Sequence, residues 1–132
     1  MGTLPHEHVY ARLGPSPIHG VGAFALRPIP AGTVIFRDDD DMVWIDRAEI
    51  DELPEAIRRL YVHYGLWRGD RVGCPRSFNK LTPAWFVNHD EDAPNLRLNE
   101  DDFQFYAARD IAVGEELTVN YRLYSDAVNL RA

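Results

Sequence analysis

Three short stretches of the sequence carry groups that could bind a polar ligand. Residues 20–22 read Gly-Val-Gly, and glycine can adopt positive φ and let the backbone come close to a bound molecule. Asn88 offers donor and acceptor groups suited to an ammonium or a carboxylate, and the adjacent His89 adds a second polar contact. Tyr121 places a phenol at the end of the last strand-like segment. These residue types suit the binding of a small charged molecule.

Each of these features also has a simpler structural interpretation. A Gly-x-Gly sequence commonly forms a tight turn between strands, and an Asn-His pair commonly lies in an ordinary loop. Tyr121 alone would be interpreted as a core aromatic at the end of a strand. Because each motif is weak by itself, a functional interpretation requires that all three occur in one fold.

Metal and thiol chemistry have weaker support. The lone Cys74 cannot form an intramolecular disulfide or build a cysteine-based zinc site, so a metal ion would need histidine and carboxylate ligands. His19 and His89 with nearby aspartates could form a metal-dependent hydrolase site, but no His-x-x-x-His or comparable spacing is present. His6 and His8 form only an i, i+2 pair near the N-terminus. We therefore predict no metal site.

The composition favours a single soluble domain with a protein or peptide partner. The 132 residues match the usual length of one domain, about 100–200 residues, and the formal net charge is -7. An acidic surface repels phosphate backbones, which argues against direct nucleic-acid binding and favours a basic partner. No stretch approaches the ~20 apolar residues of a membrane-spanning helix, and the N-terminus lacks the features of a signal peptide. We predict one cytoplasmic domain over residues 1–132 without a membrane partner.

The elements that must position these residues are mostly short strands. Alternating polar and apolar residues predict a strand at 8–13, and β-branched and aromatic residues predict strands at 33–36 and 42–45. Apolar residues at three- and four-residue steps predict an amphipathic helix over residues 46–64. Pro54 is expected to open its regular part, since proline is tolerated in a first helical turn.

The second half of the chain is again rich in strand patterns. Glycines and a proline predict an irregular connection over residues 65–80, followed by a short helical turn within 81–86. Three further strands are predicted at residues 95–99, 103–108 and 116–121. The aspartate run at 38–41 is interpreted as a solvated tip that could also steer a lysine-rich substrate. The pattern is mostly β with a helical insert.

Three separated segments resemble the SET-domain protein lysine methyltransferases in content and in order. Residues 18–35, IHGVGAFALRPIPAGTVI, resemble the family's glycine motif, apolar strand and following turn. Residues 85–89, WFVNH, followed by Pro94-Asn95, resemble its Asn-His and Pro-Asn segment. Residues 107–121, AARDIAVGEELTVNY, resemble its closing Gly-Glu-Glu-Leu-Thr segment and tyrosine. Together the matches cover most of residues 8–121.

The resemblance implies a SET-domain-like (β-clip) fold of small curved sheets with a C-terminal pseudoknot. In this fold the closing strand passes beneath the loop formed by the Asn-His segment, a kind of threading that is unusual in proteins. The variable insert of this single SET-like domain is expected at about residues 38–80.

The resemblance also implies an enzyme that uses S-adenosylmethionine to methylate the side-chain amine of lysine in a protein substrate. By position, the implied cofactor-binding residues are His19, Gly20, Val21, Gly22, Asn88 and His89, and the implied catalytic residue is Tyr121. The implied lysine channel is lined by Leu98, Tyr106, Val119 and Tyr124, with Phe24, Trp85 and Phe86 as further candidates. Leu98 and Val119 stand where aromatics limit the degree of methylation in related enzymes, so the addition of more than one methyl group is expected.

The sequence departs from the family pattern in the Asn-His loop and immediately before Tyr121. Asp90 stands where the family has serine, the gap from His89 to Pro94 is one residue longer, and Asn120 replaces a common aspartate. Residues 123–132 contain no cysteine for a zinc cluster that would close the channel, so packing of this segment or a second subunit in a homodimer would have to close it. These departures leave an alternative open, namely a SET-fold module with weak turnover that binds a peptide or the cofactor.

Overall fold

Short strands make up most of the regular structure in residues 4–37 and 42–125, which are the residues that the computed structural model describes. In chain order the elements are β1 (Ala11–Pro15), β2 (Val21–Ala25), β3 (Met42–Asp46), α1 (Arg47–Asp51), α2 (Glu55–Tyr64), β4 (Leu66–Arg68), β5 (Arg71–Pro75), 3₁₀ turns at Phe78–Lys80 and Pro83–Phe86, β6 (Asn88–His89), β7 (Leu96–Asn99), β8 (Gln104–Ala107), β9 (Thr118–Val119) and a 3₁₀ turn at Tyr121–Leu123. This confirms the prediction of a mostly β chain with few helices. The predicted aspartate tip lies outside the described residues.

The chain divides into two compact units. Among the described residues, 4–37 and 82–120 form the first unit, and 42–81 and 121–125 form the second. The stretch 42–81 nearly coincides with the insert expected at about 38–80. The single-domain interpretation stays a prediction.

The first unit begins with a hairpin of small residues. Strand β1 pairs antiparallel with β2, from Ala11 opposite Ala25 to Pro15 opposite Val21. The first strand therefore starts later than the predicted 8–13 and continues to Pro15, because a terminal strand position tolerates a residue without an N–H group.

Two further strand pairs complete the first unit. Strand β7 pairs antiparallel with β8, from Leu96 opposite Ala107 to Asn99 opposite Gln104. Strands β6 and β9 pair in parallel, which joins the Asn-His segment to the closing strand. This pairing agrees with the expected pseudoknot, and the threading itself stays a prediction. The largest fully buried side chains of this unit are those of Ile29, Ile35, Leu96, Ile111, Leu117 and Val119.

Two predicted strands of the first unit are shorter in the structure. Residues 33–36 form only an isolated bridge, between Val34 and Tyr106. The N–H and hydroxyl groups of Thr33 both donate to the Pro30 carbonyl, at 3.2 and 2.7 Å, and this turn interrupts the ladder. The predicted strand at 116–121 is reduced to Thr118–Val119, and Tyr121 instead begins a 3₁₀ turn.

The second unit contains a three-stranded antiparallel sheet in the order β3-β5-β4. The prediction of an irregular connection over residues 65–80 was wrong, because β4 and β5 occupy part of it. The glycines that suggested irregular structure have specific roles. Gly69, at φ 58°, lies in the turn between the two strands, where positive φ favours glycine. Gly73 lies within β5, where a Cβ atom would be 3.1 Å from Cη2 of the Trp44 ring.

The predicted long helix is divided into α1 and α2. Proline lacks an N–H group and disfavours helical geometry in the residue before it, which explains the interruption ahead of Pro54. The prediction that Pro54 opens the regular part is confirmed, because α2 begins at Glu55. No helix of the described residues is long and apolar enough to cross a membrane. The core that these helices share with the sheet contains Ile50, Val62, Trp67 and Val72.

Candidate functional site

The amide of Asn88 lies at the centre of a polar cluster in the first unit. Its Nδ2 atom donates toward Ser16 Oγ at 3.1 Å, the His19 carbonyl at 3.1 Å, the Val21 carbonyl at 3.4 Å and Glu116 Oε2 at 2.9 Å. The flipped amide would place its carbonyl oxygen against these four oxygens, so the surroundings determine the orientation. Asn88 is only 7% exposed.

Ser16 connects this cluster to the loop that precedes the glycine motif. Its hydroxyl lies 2.8 Å from both carboxylate oxygens of Glu116 and can share its proton between them. The same oxygen accepts hydrogen bonds from the backbone N–H groups of Ile18, at 3.0 Å, and His19, at 3.3 Å. Glu116 therefore holds the loop through Ser16 and holds the Asn88 amide directly.

The two glycines of the motif serve different purposes. Gly20 has φ 47°, a conformation that an L side chain rarely adopts, and a Cβ atom there would meet nothing within 4 Å. Gly22 is buried in β2, where a Cβ atom would collide with the Glu116 carboxylate. Gly20 thus permits the turn, whereas Gly22 leaves room for the carboxylate. His19 and Val21 are exposed and contribute backbone carbonyls to the cluster.

Asn95 fixes the strand that carries Glu116. Its side chain is 2% exposed, accepts a hydrogen bond from the Thr118 N–H at 2.8 Å and donates to the Glu116 carbonyl at 2.8 Å. The backbone of residues 116–118 is therefore held on both sides of Leu117 by one amide. This role explains, in physical terms, the asparagine of the Pro-Asn sequence that follows the Asn-His segment.

The loop after Asn88 is ordered by its own side chains. His89 is partly buried, and its Nε2 atom lies 3.3 Å from Glu91 Oε1. The carboxylate of Asp90 accepts hydrogen bonds from the N–H groups of Asp92, at 2.9 Å, and Ala93, at 3.3 Å. Asp90, the residue that departs from the family pattern, thus stabilises the longer loop as an Asx turn.

The structure brings some of the predicted site residues together and places others elsewhere in the chain. His19, Val21, Gly22 and Asn88 share the cluster, whereas Tyr121 and Tyr124 belong to the second unit. Among the predicted channel residues of the first unit, Leu98 lies opposite Phe105, Tyr106 opposite Arg97, and Val119 beside His89. Val119 is fully buried, while Leu98 and Tyr106 are partly buried.

Sequence reasoning missed Ser16 and Glu116 as site residues. Ser16 lies in a Gly-Pro-Ser-Pro stretch that was interpreted as a turn, and Glu116 appeared only as part of the closing motif. The two residues are 100 positions apart, and neither hydrophobic periodicity nor turn chemistry predicts a pair at that separation. The available signal was the position of Glu116, two residues before the strand that pairs with Asn88.

The Cys74 thiol and the potential metal ligands show no arrangement that favours nucleophilic or metal chemistry among the described residues. Burial raises the pKa of the Cys74 thiol to about 11, so this cysteine is protonated and unreactive at neutral pH. Within the described residues, no group of three or more histidine, cysteine, aspartate or glutamate side chains could hold a metal ion.

Comparisons with known proteins identify the family and the fold. The family model of the SET domain matches residues 20–122. The chain is similar to the crystal structure of a candidate histone methyltransferase from Plasmodium falciparum, with a TM-score of 0.55 and 22% identity, over 86% of this chain and 93% of that chain. At that identity the likeness concerns the fold. No curated protein is significantly similar in sequence.

Proposed function

We propose that this chain, which belongs to the SET-domain family, transfers methyl groups from S-adenosylmethionine to lysine side chains of a protein substrate. The family match and the fold likeness confirm the SET-like fold predicted from the sequence. Family membership supports methyltransferase activity in general. The observation that carries the more specific proposal is the excess of hydrogen-bond acceptors around Asn88.

The hydrogen-bond acceptors around Asn88 fit the amino-acid end of S-adenosylmethionine. An amide has two N–H groups, but four oxygens face Nδ2, so acceptor capacity remains for a ligand. One of these acceptors is the Glu116 carboxylate, which favours a cationic ligand, and the Oδ1 atom of Asn88 adds a further acceptor. An α-ammonium group supplies three N–H donors and a positive charge. The open space beside Gly20 leaves room for a ligand next to the backbone.

In this proposal His19, Val21 and Asn88 hold the cofactor through their backbone and amide groups, and Gly20 and Gly22 allow the close approach. His89 adds a polar contact beside Asn88. When bound, S-adenosylmethionine supplies a methyl group activated by the positive charge of its sulfonium. The side chains of this protein must then bind the lysine, keep its amine neutral and orient it toward the methyl group.

The chain must present the lysine amine in its neutral form. Free lysine has a pKa near 10.4, so its deprotonation at pH 7 costs about 4–5 kcal/mol. Apolar and aromatic surroundings lower this cost because desolvation disfavours the ammonium form. We assign this task to Leu98, Tyr106, Val119 and Tyr124, on the basis of the family resemblance. The buried Val119 and the partly buried aromatic Tyr106 have the required apolar character.

We assign the catalytic role to Tyr121. A phenol at this position would orient the amine by a hydrogen bond and stabilise the charge that develops during transfer.

The substrate that best suits a chain with a formal net charge of -7 is a basic, lysine-rich protein, because opposite charges steer the encounter. Since Leu98 and Val119 are not aromatic, we propose that more than one methyl group can be added.

Calorimetry with S-adenosylmethionine and a radiolabelled methyl-transfer assay on a lysine-rich protein mixture test the proposal together. We expect binding and transfer of label to lysine. Tyr121→Phe should lower turnover more than tenfold and leave cofactor affinity nearly unchanged. Tyr64→Phe, in helix α2, is the matched control and should retain activity, because Tyr64 is not among the residues of the proposed site and its ring contacts with His63 and Phe78 persist in the variant.

The outcomes separate the candidate functions. Binding of the cofactor without transfer would identify the module with weak turnover that the Asp90 loop left open as an alternative. Absence of cofactor binding would overturn the proposal. Mass spectra that show only monomethyl product at long reaction times would contradict the assignment of Leu98 and Val119.

A further inference from the structure

The turn that begins at Tyr121 is tied to the sheet of the second unit. The Trp67 N–H donates to Ser125 Oγ at 2.9 Å, and Arg68 Nε donates to the Tyr124 carbonyl at 2.8 Å. Two adjacent residues of β4 thus hold two adjacent residues at the end of the turn.

Ser125 links this attachment directly to Tyr121. While its hydroxyl accepts from β4, its backbone N–H donates to the Tyr121 carbonyl at 2.8 Å. The Tyr124 N–H donates to the same carbonyl at 2.9 Å. The carbonyl of Tyr121 is therefore fixed by two N–H groups, and each belongs to a residue that β4 holds.

Strand β4 can serve as a rigid support because its central residue is part of a core. Trp67 is 2% exposed and packs with Ile50, Val62 and Val72. Its Nε1 atom donates to the Tyr61 carbonyl at 2.8 Å, and the Arg47 guanidinium lies 5.1 Å from the ring centroid. A backbone N–H of such a residue can move little relative to the core.

The position of β4 in the sheet explains why the Trp67 N–H can donate to Ser125 rather than to another strand. Strand β4 is at the edge of the order β3-β5-β4, and an edge strand leaves every second N–H without a partner in the sheet. The Ser125 hydroxyl satisfies the outward N–H of Trp67. A side chain here takes the place of a further strand, so the loss of the Ser125 hydroxyl removes one of the two hydrogen bonds that attach the turn to β4.

We infer that Ser125 and Arg68 are positioning residues for the Tyr121 phenol. This inference rests on the proposed role of Tyr121 in methyl transfer. Neither residue needs to touch a substrate, because both act on the backbone of the segment that carries Tyr121. Loss of either hydrogen bond widens the range of positions that the phenol samples, and turnover falls because a reacting group must be held closely.

The experiment measures kcat, the KM for S-adenosylmethionine and thermal stability for Ser125→Ala, Ser125→Thr and Arg68→Gln. We expect kcat to fall about two- to tenfold in Ser125→Ala, the range that corresponds to one neutral hydrogen bond, and at least as far in Arg68→Gln, because the charged guanidinium makes a stronger hydrogen bond. The KM for S-adenosylmethionine should change less than twofold. Ser125→Thr retains the hydroxyl and should restore kcat.

Two control variants match these changes within the same unit. Ser77→Ala removes another serine hydroxyl, which accepts from the Asn79 N–H at 3.2 Å, and Arg71→Gln removes another arginine that donates to a carbonyl, that of Trp44 at 3.4 Å. Both should leave kcat unchanged.

The results distinguish a positioning role from a purely structural one. If Ser125→Ala lowers the melting temperature but leaves kcat per folded molecule unchanged, or if Ser77→Ala and Arg71→Gln lower kcat equally, the inference is overturned. If Ser125→Ala does not fold, Arg68→Gln alone decides, by the same comparison with Arg71→Gln. An inactive wild-type chain would instead refute the proposed function, so the two failures are separable.

Discussion

Replacement of Gly22 by alanine tests whether the Glu116 carboxylate organises the candidate site. Gly22 is buried in β2 and is not among the positive-φ glycines, so alanine meets no backbone strain there. Its Cβ atom would collide with the Glu116 carboxylate and lie 3.1 Å from Ser16 Cβ. The methyl group therefore acts through displacement of the carboxylate.

The expected cost follows from the contacts that the displaced carboxylate loses. Overpacking by one methyl group costs about 1–3 kcal/mol. The carboxylate also accepts from Ser16 at 2.8 Å and Asn88 at 2.9 Å, and hydrogen bonds to a charged group contribute about 1.5–3 kcal/mol each. With both bonds weakened rather than lost, we expect Gly22→Ala to lower the free energy of unfolding by about 2–4 kcal/mol. Affinity for S-adenosylmethionine should fall about tenfold or more, which corresponds to ~1.4 kcal/mol.

A double-mutant cycle with Glu116→Ala separates this mechanism from general disruption. Urea denaturation gives the free energy of unfolding of both single variants, the double variant and the wild type. Without the Glu116 carboxylate, the added methyl group finds space, and a coupling of about 1–3 kcal/mol is expected. Gly14→Ala is the control, because its Cβ atom would be 2.7 Å from the mobile end of the Arg12 side chain. Additive effects within ~0.5 kcal/mol would refute the reasoning.

Three further predictions concern stability and reactivity. Asn95→Ala leaves the Thr118 N–H and the Glu116 carbonyl without their buried partner. Urea denaturation should therefore show a free energy of unfolding lower by about 2–4 kcal/mol. The control Asn99→Ala, at the exposed end of β7, should lower the free energy of unfolding far less. Cys74 should resist thiol reagents at pH 8 in the folded protein and react fully in urea, because its burial raises the thiol pKa to about 11; rapid labelling without urea would contradict this. The Ala112 N–H bond and, to a smaller extent, Arg109 lower the pKa of Glu115 below its usual 4.5 in spite of the opposing effect of burial. Its stabilising contribution is therefore present above about pH 4.5 and is lost as the pH falls through the lower folded value, so Glu115→Gln should flatten the decline of the urea midpoint between pH 5 and pH 3.

The sequence predicts well those features that depend on local patterns. The helix that ends at Tyr64 follows from the spacing of apolar residues, and its start immediately after Pro54 follows from the properties of proline. The strand over residues 42–45 follows from its β-branched and aromatic content, and the structure extends it by one residue.

The errors arose where a distant partner determines the local structure. Gly73 suggested irregular chain, yet the ring of Trp44 across the sheet occupies the space that a side chain would need. Residues 33–36 have strand composition, but the Thr33 bonds to the Pro30 carbonyl limit their pairing to one bridge. The same limit applied to the candidate site, because the carboxylate at 116 is joined to the hydroxyl at 16 only in the folded chain.

The polar cluster around Asn88 has a consequence for synthesis on the ribosome. Its groups come from residues 16, 88 and 116, and the segment 42–81 between the first two forms a separate compact unit. Contacts of such long sequence separation form slowly, because a large loop must close before any of them is gained. A nascent chain that ends before residue 116 lacks the carboxylate and the strand held by Asn95. The ability to bind a ligand at this cluster therefore arises only after residues 116–118 have emerged from the ribosome and paired with the segments made long before them.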